Sequence, residues 1–416
     1  MRNLLHPLVN ILWLKTGPLH PLDSGGKIRT YHMLRELMKN HRVTYRALCP
    51  GFVDESVKKG ALEYSHDQQW IPWKETSKQS PRFFLELGGN LLASRLPYVI
   101  QKYRSAGMSD LLLKEAPGSD FDIVICDFLS PAINIINLRA SFKAKTLLFQ
   151  HNVESLIWQR MRDTAAGPLQ RAYLADQWRR MFRFERKAAA WFDGVVGVSD
   201  EDCRMMREML GLTNVMGSVP TGVDSGYFQE AGVEKKSGSI VFLGSMDWMP
   251  NIDAVSFFME AIYPELKKRV PDVSFTIVGR NPPERVRDLA KSDPSVCVTG
   301  TVDDVRPFVA GAEVVVVPLR VGGGTRIKIF EAMAAGVPVV STCIGAEGLP
   351  VQNGGNILLA DEPVEFAACV ARLLQEPELR TQIGGAGMEF VRTKFGWESA
   401  TKVFEGYCRQ LVDGRP

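Results

Sequence analysis

The stretch "EVVVVPLRVGGGTRIKIFEAMAAGVPVVST", Glu313 to Thr342, decides the fold. It opens on four valines, Val314 to Val317, apolar at every position, as expected of a strand covered on both faces. The glycines Gly322, Gly323 and Gly324 follow, and a helical spacing of apolar residues begins near Thr325. A second apolar run, Pro338 to Thr342, closes the unit. Strand, glycine loop, helix and strand in that order make a βαβ unit of a parallel sheet.

The same junction poses an electrostatic question. Arg326 and Lys328 fall in the first turn of the expected helix, where the peptide dipole is positive and cations are mildly disfavoured. An anion resolves the conflict. Successive glycines let backbone N–H groups converge on a phosphate, and the helix start adds its own donors. The bland alternative is a solvated pair of cations, with Lys328 meeting Glu331 three residues on. The loop matches neither G-x-x-x-x-G-K-[ST] nor G-x-G-x-x-G, so neither a P-loop nor a nicotinamide cofactor is indicated. Glu331, further along the helix, would be repelled by a phosphate and suits hydroxyls better. Phosphate donors followed by a hydroxyl acceptor describe a nucleotide-sugar site.

The same alternation fills the chain. Strands are expected at Asn10–Lys15, Val43–Cys49, Asp122–Asp127, Thr146–Gln150 and Gly194–Ser199 in the first half. In the second half they fall at Ser239–Gly244, Ser274–Gly279, Val296–Gly300, Glu313–Pro318, Pro338–Thr342 and Asn356–Ala360. A Gly-, Ser- and charge-rich segment, Val219 to Ser239, separates the two series. The reading is α/β, with two doubly wound Rossmann-like domains, 1–220 and 221–396, facing across a cleft.

Composition narrows the function. With 45% hydrophobic and 23% charged residues the chain is an ordinary globular protein, and a net charge of +3 gives no case for nucleic acid as a partner. Seven scattered cysteines without a C-x-x-C pair suit a reducing, cytoplasmic setting. The apolar run near the N-terminus is broken by Asn10, Lys15 and prolines, and reads as a buried strand rather than a membrane span.

Three further segments carry chemistry. In "DSGGKIRTYHMLREL", Gly25 and Gly26 also stand between a strand and a helix, where backbone can approach a phosphate. In "TLLFQHNVES", His151, Asn152 and Glu154 lie just past a strand end, and Asp127 occupies the corresponding place after "DIVIC". These are candidates for the acceptor side, with His151 able to hydrogen-bond a hydroxyl or phosphate; capping and backbone bonding are the structural alternatives. Gln159–Lys187 carries eight Arg and Lys interleaved with Trp178, Met181 and Phe182. It reads either as a solvated helix face or as a peripheral contact with the inner membrane. Arg82–Ser105 is a second aromatic and basic stretch. No catalytic triad or metal-ligand spacing is legible, so metal and cofactor are both expected to be absent.

Taken together, "VPTGVDSGYF", "FLGSMDWMPNIDAV", "FTIVGRNPPERV" and "GGGTRIKIFEAMAAGVPVVST" resemble the family-4 retaining glycosyltransferases of GT-B fold, in particular those of bacterial exopolysaccharide and cell-envelope synthesis. The resemblance implies a sugar transferred with retention from a nucleoside diphosphate donor, in the second domain, to a glycan or lipid-linked acceptor on the first. It implies that Gly25 and Gly26 approach the diphosphate, that Glu331 contacts the ribose, and that His151 lies near the transferred sugar. Gly244 and the loop Gly322–Thr325 join the donor side. It also implies that the helix from Trp397, within 397–416, packs back on the first domain. Two departures stand out. The family's first glutamate falls on Gly323, and its arginine–lysine pair after "FLG" is replaced by Ser245, Asp247 and Asn251. Arg326 and Lys328 are expected to supply the missing charge and, with His151, to act in catalysis. An epimerase or hydrolase of the same fold and a non-catalytic sugar-nucleotide-binding partner are the alternatives.

Overall fold

A computed structural model describes residues 8–51, 53–77, 80–115, 120–138, 142–165, 167–229, 233–322 and 327–414. Gly323, Gly324, Thr325 and Arg326 lie outside the described residues. The chain divides into two compact units. One comprises Met1–Leu22, Gly26–Val219 and Thr401–Pro416, the other Asp23–Gly25 and Pro220–Ala400.

The first unit holds a seven-stranded parallel sheet. Its strands are β1 (Asn10–Lys15), β2 (Arg42–Pro50), β3 (Asp67–Trp73), β4 (Ile123–Asp127), β5 (Lys145–Phe149), β6 (Gly194–Gly197) and β7 (Val215–Ser218). They lie in the order β3-β2-β1-β4-β5-β6-β7. Both faces are covered, which explains the unbroken apolar runs. Leu12, Leu14, Val124, Cys126 and Leu148 pack in one core with Met181, Phe184 and Ala188 of the helix Pro168–Trp191. The alternate residues Trp13 and Phe149 meet Phe404 of the helix Trp397–Asp413, with ring centroids 5.7 and 4.9 Å apart. Glu405 of that helix lies 3.1 Å from His41.

β3 and β7 have no counterpart among the sequence-derived strands. β3 reads "DQQWIPW", polar and broken by Pro72, which a strand tolerates at a sheet edge where one side has no partner. β7 is the other edge and only four residues long.

The second unit holds a six-stranded parallel sheet in the order β10-β9-β8-β11-β12-β13. The strands are β8 (Ser239–Leu243), β9 (Ser274–Val278), β10 (Val296–Gly300), β11 (Val314–Val317), β12 (Val339–Ser341) and β13 (Leu358–Leu359). Val314–Val317 are fully buried and pack in one core with Phe330 and Met333 of the helix Ile327–Ala334 and with Phe366. In both sheets the first strand in sequence has crossovers leaving to either side, so β1/β4 and β8/β11 are topological switch points. Ligands of such sheets bind beyond the carboxyl ends of strands at these points.

Candidate active site

At the switch point of the first unit, β1 pairs β4 with Leu14 opposite Cys126, which sets Lys15 and Asp127 side by side as the last strand residues. Both are buried. Lys15 Nζ donates to Asp127 Oδ2 at 2.6 Å, and the same oxygen accepts from Thr30 Oγ1 at 2.6 Å and Trp13 Nε1 at 3.0 Å. The other oxygen, Oδ1, lies 2.7 Å from His151 Nε2. Burial alone would raise the Asp127 carboxyl, but the Lys15 ammonium and then His151 overcome it and hold the group well below the usual carboxylate range. Asp127 is therefore an ionised hub behind His151, not an open acceptor at the rim.

His151 is itself buried, and burial drives its imidazolium down to about 4 against the pull of Asp127, with Lys15 and Arg29 adding to the shift. The ring is neutral at pH 7. A lone pair on Nε2 would face a carboxylate lone pair at 2.7 Å, so Nε2 carries the proton. Nδ1 is then a bare acceptor, and among the described residues it is buried with no hydrogen-bond partner.

The ring rests on Phe128, with centroids 3.8 Å apart and planes 15° from parallel. Phe128 has φ 77°, the left-handed region, at a cost of about 1–2 kcal/mol for a non-glycine residue. Its ring carries Lys15 Nζ 4.5 Å from its centroid. A Cβ on Gly26 would come within 2.6 Å of that ring, so this glycine is needed for packing beneath the histidine. Gly25 differs: a Cβ there would meet Ile327 only at 3.4 Å, ordinary contact distance.

The loop that carries His151 is tied down by Glu185, a fully buried carboxylate of the helix Pro168–Trp191. Its Oε1 accepts from Gln150 Nε2 at 2.6 Å and Glu154 N at 2.7 Å, and its Oε2 from Ser155 N at 2.9 Å and Ser155 Oγ at 2.5 Å. It thus caps the helix Glu154–Asp163. Glu154, half-buried, is pushed up to about 7 by burial and then by the charge on Glu185, while Asn152 Nδ2 donates to it at 3.1 Å.

At the switch point of the second unit, Gly244 follows β8, and a Cβ there would come within 2.7 Å of the Asn251 side chain. The glycine lets Asn251, in the first turn of the helix Met249–Phe257, lie against the strand end. Asn251 Nδ2 donates to Ser245 O at 2.8 Å, and its Oδ1 accepts from Lys328 Nζ at 2.9 Å. Lys328 also stands 4.5 Å from the Phe242 ring centroid. The ammonium thus reaches toward the β8 end and bonds Asn251, one of the residues at which the sequence departs from the pattern it resembles. Glu331, a turn along the same helix, is pushed up to about 7 by burial, with Lys328 pulling the other way. Gly322 is buried at the end of the described part of the loop.

Several contributors escape the sequence reading: Trp13, Lys15, Thr30, Phe128 and Glu185 in the first unit, Arg280 and Arg320 in the second. Arg280 follows β9, donates to Ser245 Oγ at 3.0 Å and pairs with Asp247 and Asp23. Arg320 follows β11 and pairs with Asp253 at 2.6 Å. Lys15 had a legible signal, a cation ending an apolar buried strand.

Residues 237–376 match the family described as "Glycosyl transferases group 1". The phosphatidyl-myo-inositol mannosyltransferase of Mycobacterium leprae is 30% identical over 226 residues, 51% of this chain and 59% of that protein, so the chain matches little more than half the relative's length. Among solved structures, sucrose-phosphate synthase from Thermosynechococcus elongatus superposes with TM-score 0.70 at 16% identity, covering 98% of this chain and 100% of that one. Anabaena HepE in complex with UDP gives TM-score 0.65 at 12% identity over 97% of this chain and 100% of that one. The match to the group 1 glycosyl transferases lies in residues 237–376, and the chain as a whole has the two-Rossmann-domain GT-B fold.

Proposed function

We propose that the chain transfers a sugar, with retention, from a nucleoside diphosphate donor to a glycan or lipid-linked acceptor, in exopolysaccharide or cell-envelope synthesis on the cytoplasmic side of the inner membrane. The second unit takes the donor and the first the acceptor. The observation that carries this reading is the group 1 segment's own switch point. There Lys328 is held by Asn251 beside the β8 end, and Glu331 follows one turn later on the same helix. A cation for phosphate and an acceptor for hydroxyls stand in the order a sugar nucleotide requires.

In this reading Lys328, with Arg326, stabilises the charge that develops on the departing diphosphate. Glu331 accepts from the ribose, and Gly244 and Gly322–Thr325 let backbone approach the donor. Gly25 and Gly26 serve the same approach at the start of their helix. His151 accepts a hydrogen bond from a sugar hydroxyl at Nδ1; with its imidazolium at about 4 it is no proton donor at neutral pH. No metal or further cofactor is invoked. The mannosyltransferase relative, whose name places a phosphatidylinositol among its substrates, supports a lipid-bearing acceptor.

The test is calorimetric titration of UDP, GDP and ADP into the wild type, Lys328→Ala and Arg326→Ala. Binding of one nucleotide, weakened about tenfold or more in each variant, is the expected result. Absence of binding by all three removes the donor-site reading. Release of free sugar from the matching donor without an acceptor would favour the hydrolase alternative instead.

A further inference from the structure

The helix Pro81–Ala93 is an apolar helix turned outward. Phe83 packs edge-on to Tyr98, and Asn90 is buried, its amide donating to Gln101 Oε1 at 2.6 Å and Leu96 O at 3.0 Å. The opposite side carries Phe84, Leu85, Leu91 and Leu92, exposed by 63%, 76%, 39% and 92%. Their spacing of i, i+1, i+7 and i+8 sets them on one face. Between them lie Gly88 and Gly89, where an added Cβ would meet nothing within 4 Å. Four large apolar side chains on one outward face are more than a scatter of exposed residues, and such patches mark interaction surfaces.

What adjoins this face identifies the partner. Arg180 of the helix Pro168–Trp191 donates to the carbonyls of Asn90 at 2.8 Å, Leu91 at 3.0 Å and Ser94 at 2.7 Å, so the two helices are neighbours. Along that second helix Arg179, Arg183, Arg186 and Lys187 are exposed, and none forms an ion pair among the described residues. The acids closest in sequence are engaged: Glu185 is buried under the His151 loop, and Asp176 holds Arg180 at 2.8 Å. Arg82 and Arg95, both exposed, stand at either end of the apolar helix, Arg82 paired with Glu86 at 2.9 Å and so not part of the unopposed charge.

We infer that this face docks on an anionic lipid bilayer, with Phe84, Leu85, Leu91 and Leu92 entering the interface and Arg179, Arg183, Arg186 and Lys187 meeting lipid phosphates. Apolar side chains flanked by unopposed cations are the composition of a helix that lies in a membrane interface. A second copy of the chain is a poorer fit, because a two-fold contact would bring the same four cations against each other. Within Gln159–Lys187 the contact is carried by the cations from Arg179 onward. Arg162, by contrast, pairs with Asp163 at 2.7 Å and stacks on Trp178 at 4.5 Å. The apolar component comes from Pro81–Ala93. This surface rests on the transferase reading only for the supply of a lipid acceptor.

The experiment is co-sedimentation of the full chain with vesicles of phosphatidylcholine alone or mixed with phosphatidylglycerol. Nucleotide titration on the same preparation separates failure here from failure of the transferase reading. Wild type is expected on the mixed vesicles and only weakly on neutral ones. Arg179→Gln/Arg183→Gln should weaken that binding roughly thirtyfold, about fivefold per cation, and Leu85→Ser/Leu92→Ser should abolish it, with unchanged melting in both. No vesicle binding by the wild type overturns the inference, as does equal binding by wild type and both variants. A dimer dispersed by Leu85→Ser/Leu92→Ser, without vesicle binding, would overturn it in favour of self-association.

Discussion

His151 Nε2 lies 2.7 Å from Asp127 Oδ1, and this contact decides which imidazole nitrogen is left for a ligand. The carboxylate holds the proton on Nε2, so Nδ1 accepts. Burial sets the imidazolium at about 4, below the value near 6.5 of an unfolded histidine. Between those values the unfolded chain binds more protons. The stability gained by keeping the ring neutral is therefore complete above about pH 6.5 and is lost as pH falls toward 4. Denaturant midpoints of the wild type should drop over that window more steeply than those of His151→Gln, which has no proton to gain. Parallel curves would show that His151 is not the buried neutral group described.

Replacing the other partner has a different cost. Asp127→Asn leaves the Lys15 ammonium buried beside a neutral amide, and removing one member of a buried ion pair costs about 3–5 kcal/mol. Equilibrium unfolding is expected to show a loss of that order. Lys15→Met/Asp127→Asn should recover part of it, since the uncompensated charge goes with the lysine. A single variant as stable as the wild type would mean the pair contributes nothing.

Gly26 tests the platform under the histidine. An alanine there brings a methyl within 2.6 Å of the Phe128 ring, which must tilt or shift away from His151. Gly26→Ala should lower the turnover of sugar transfer about tenfold or more while costing roughly 1–3 kcal/mol of stability by overpacking. Gly26→Ala/Phe128→Ala removes the clash. Its stability should return toward that of Phe128→Ala while turnover stays low.

Glu185 acts at one remove. Its two oxygens bind Gln150, Glu154 and Ser155 on the loop that carries His151. Glu185→Gln keeps the shape but turns one end from acceptor to donor, against backbone N–H groups that also donate. The loop should loosen, with turnover falling and nucleotide affinity, measured by calorimetry, unchanged. An equal loss of both would make Glu185 a structural residue for the whole fold.

The two sheets were legible because valine-rich runs such as Val314–Val317 can only be strands buried on both faces, and glycine loops mark where they turn into helices. The edge strands β3 and β7 were not, since half their backbone and side-chain environment is solvent and Asp67–Trp73 carries no apolar run. Within the site, Asp127 stood out by ending a strand and His151 by lying just past one. That Asp127 faces inward followed only from its pairing with Lys15 across the β1/β4 register, a relation between residues 112 positions apart. Nor does any local pattern in "CDFLS" announce the left-handed backbone of Phe128. The cations Arg280 and Arg320 were invisible for the same reason. Arg280 reaches Ser245 just past β8 and Arg320 reaches Asp253 of the helix after it, each from the loop beyond a neighbouring strand, and only the strand order β9-β8-β11 places those loops side by side.

Glu331 has a pH dependence of its own. Burial lifts its carboxyl to about 7, so near neutral pH it is partly protonated. The folded pKa exceeds the unfolded one. Its stabilising contribution is whole below about pH 4.3 and fades as pH rises through 7, while the charged form becomes available to accept hydroxyls. A hydrogen bond to a charged acceptor is roughly twice as strong as to a neutral one. Nucleotide affinity should therefore rise between about pH 6 and pH 8. The terminal phosphate of a nucleoside diphosphate titrates near this range too, so the quantity to read is the difference between wild type and Glu331→Gln. That difference should widen with pH for the ribonucleotide and stay small and flat for its 2′,3′-dideoxy analogue, which has no hydroxyls to offer. If the analogue behaves like the ribonucleotide, Glu331 does not hold the ribose, and its raised pKa records burial alone.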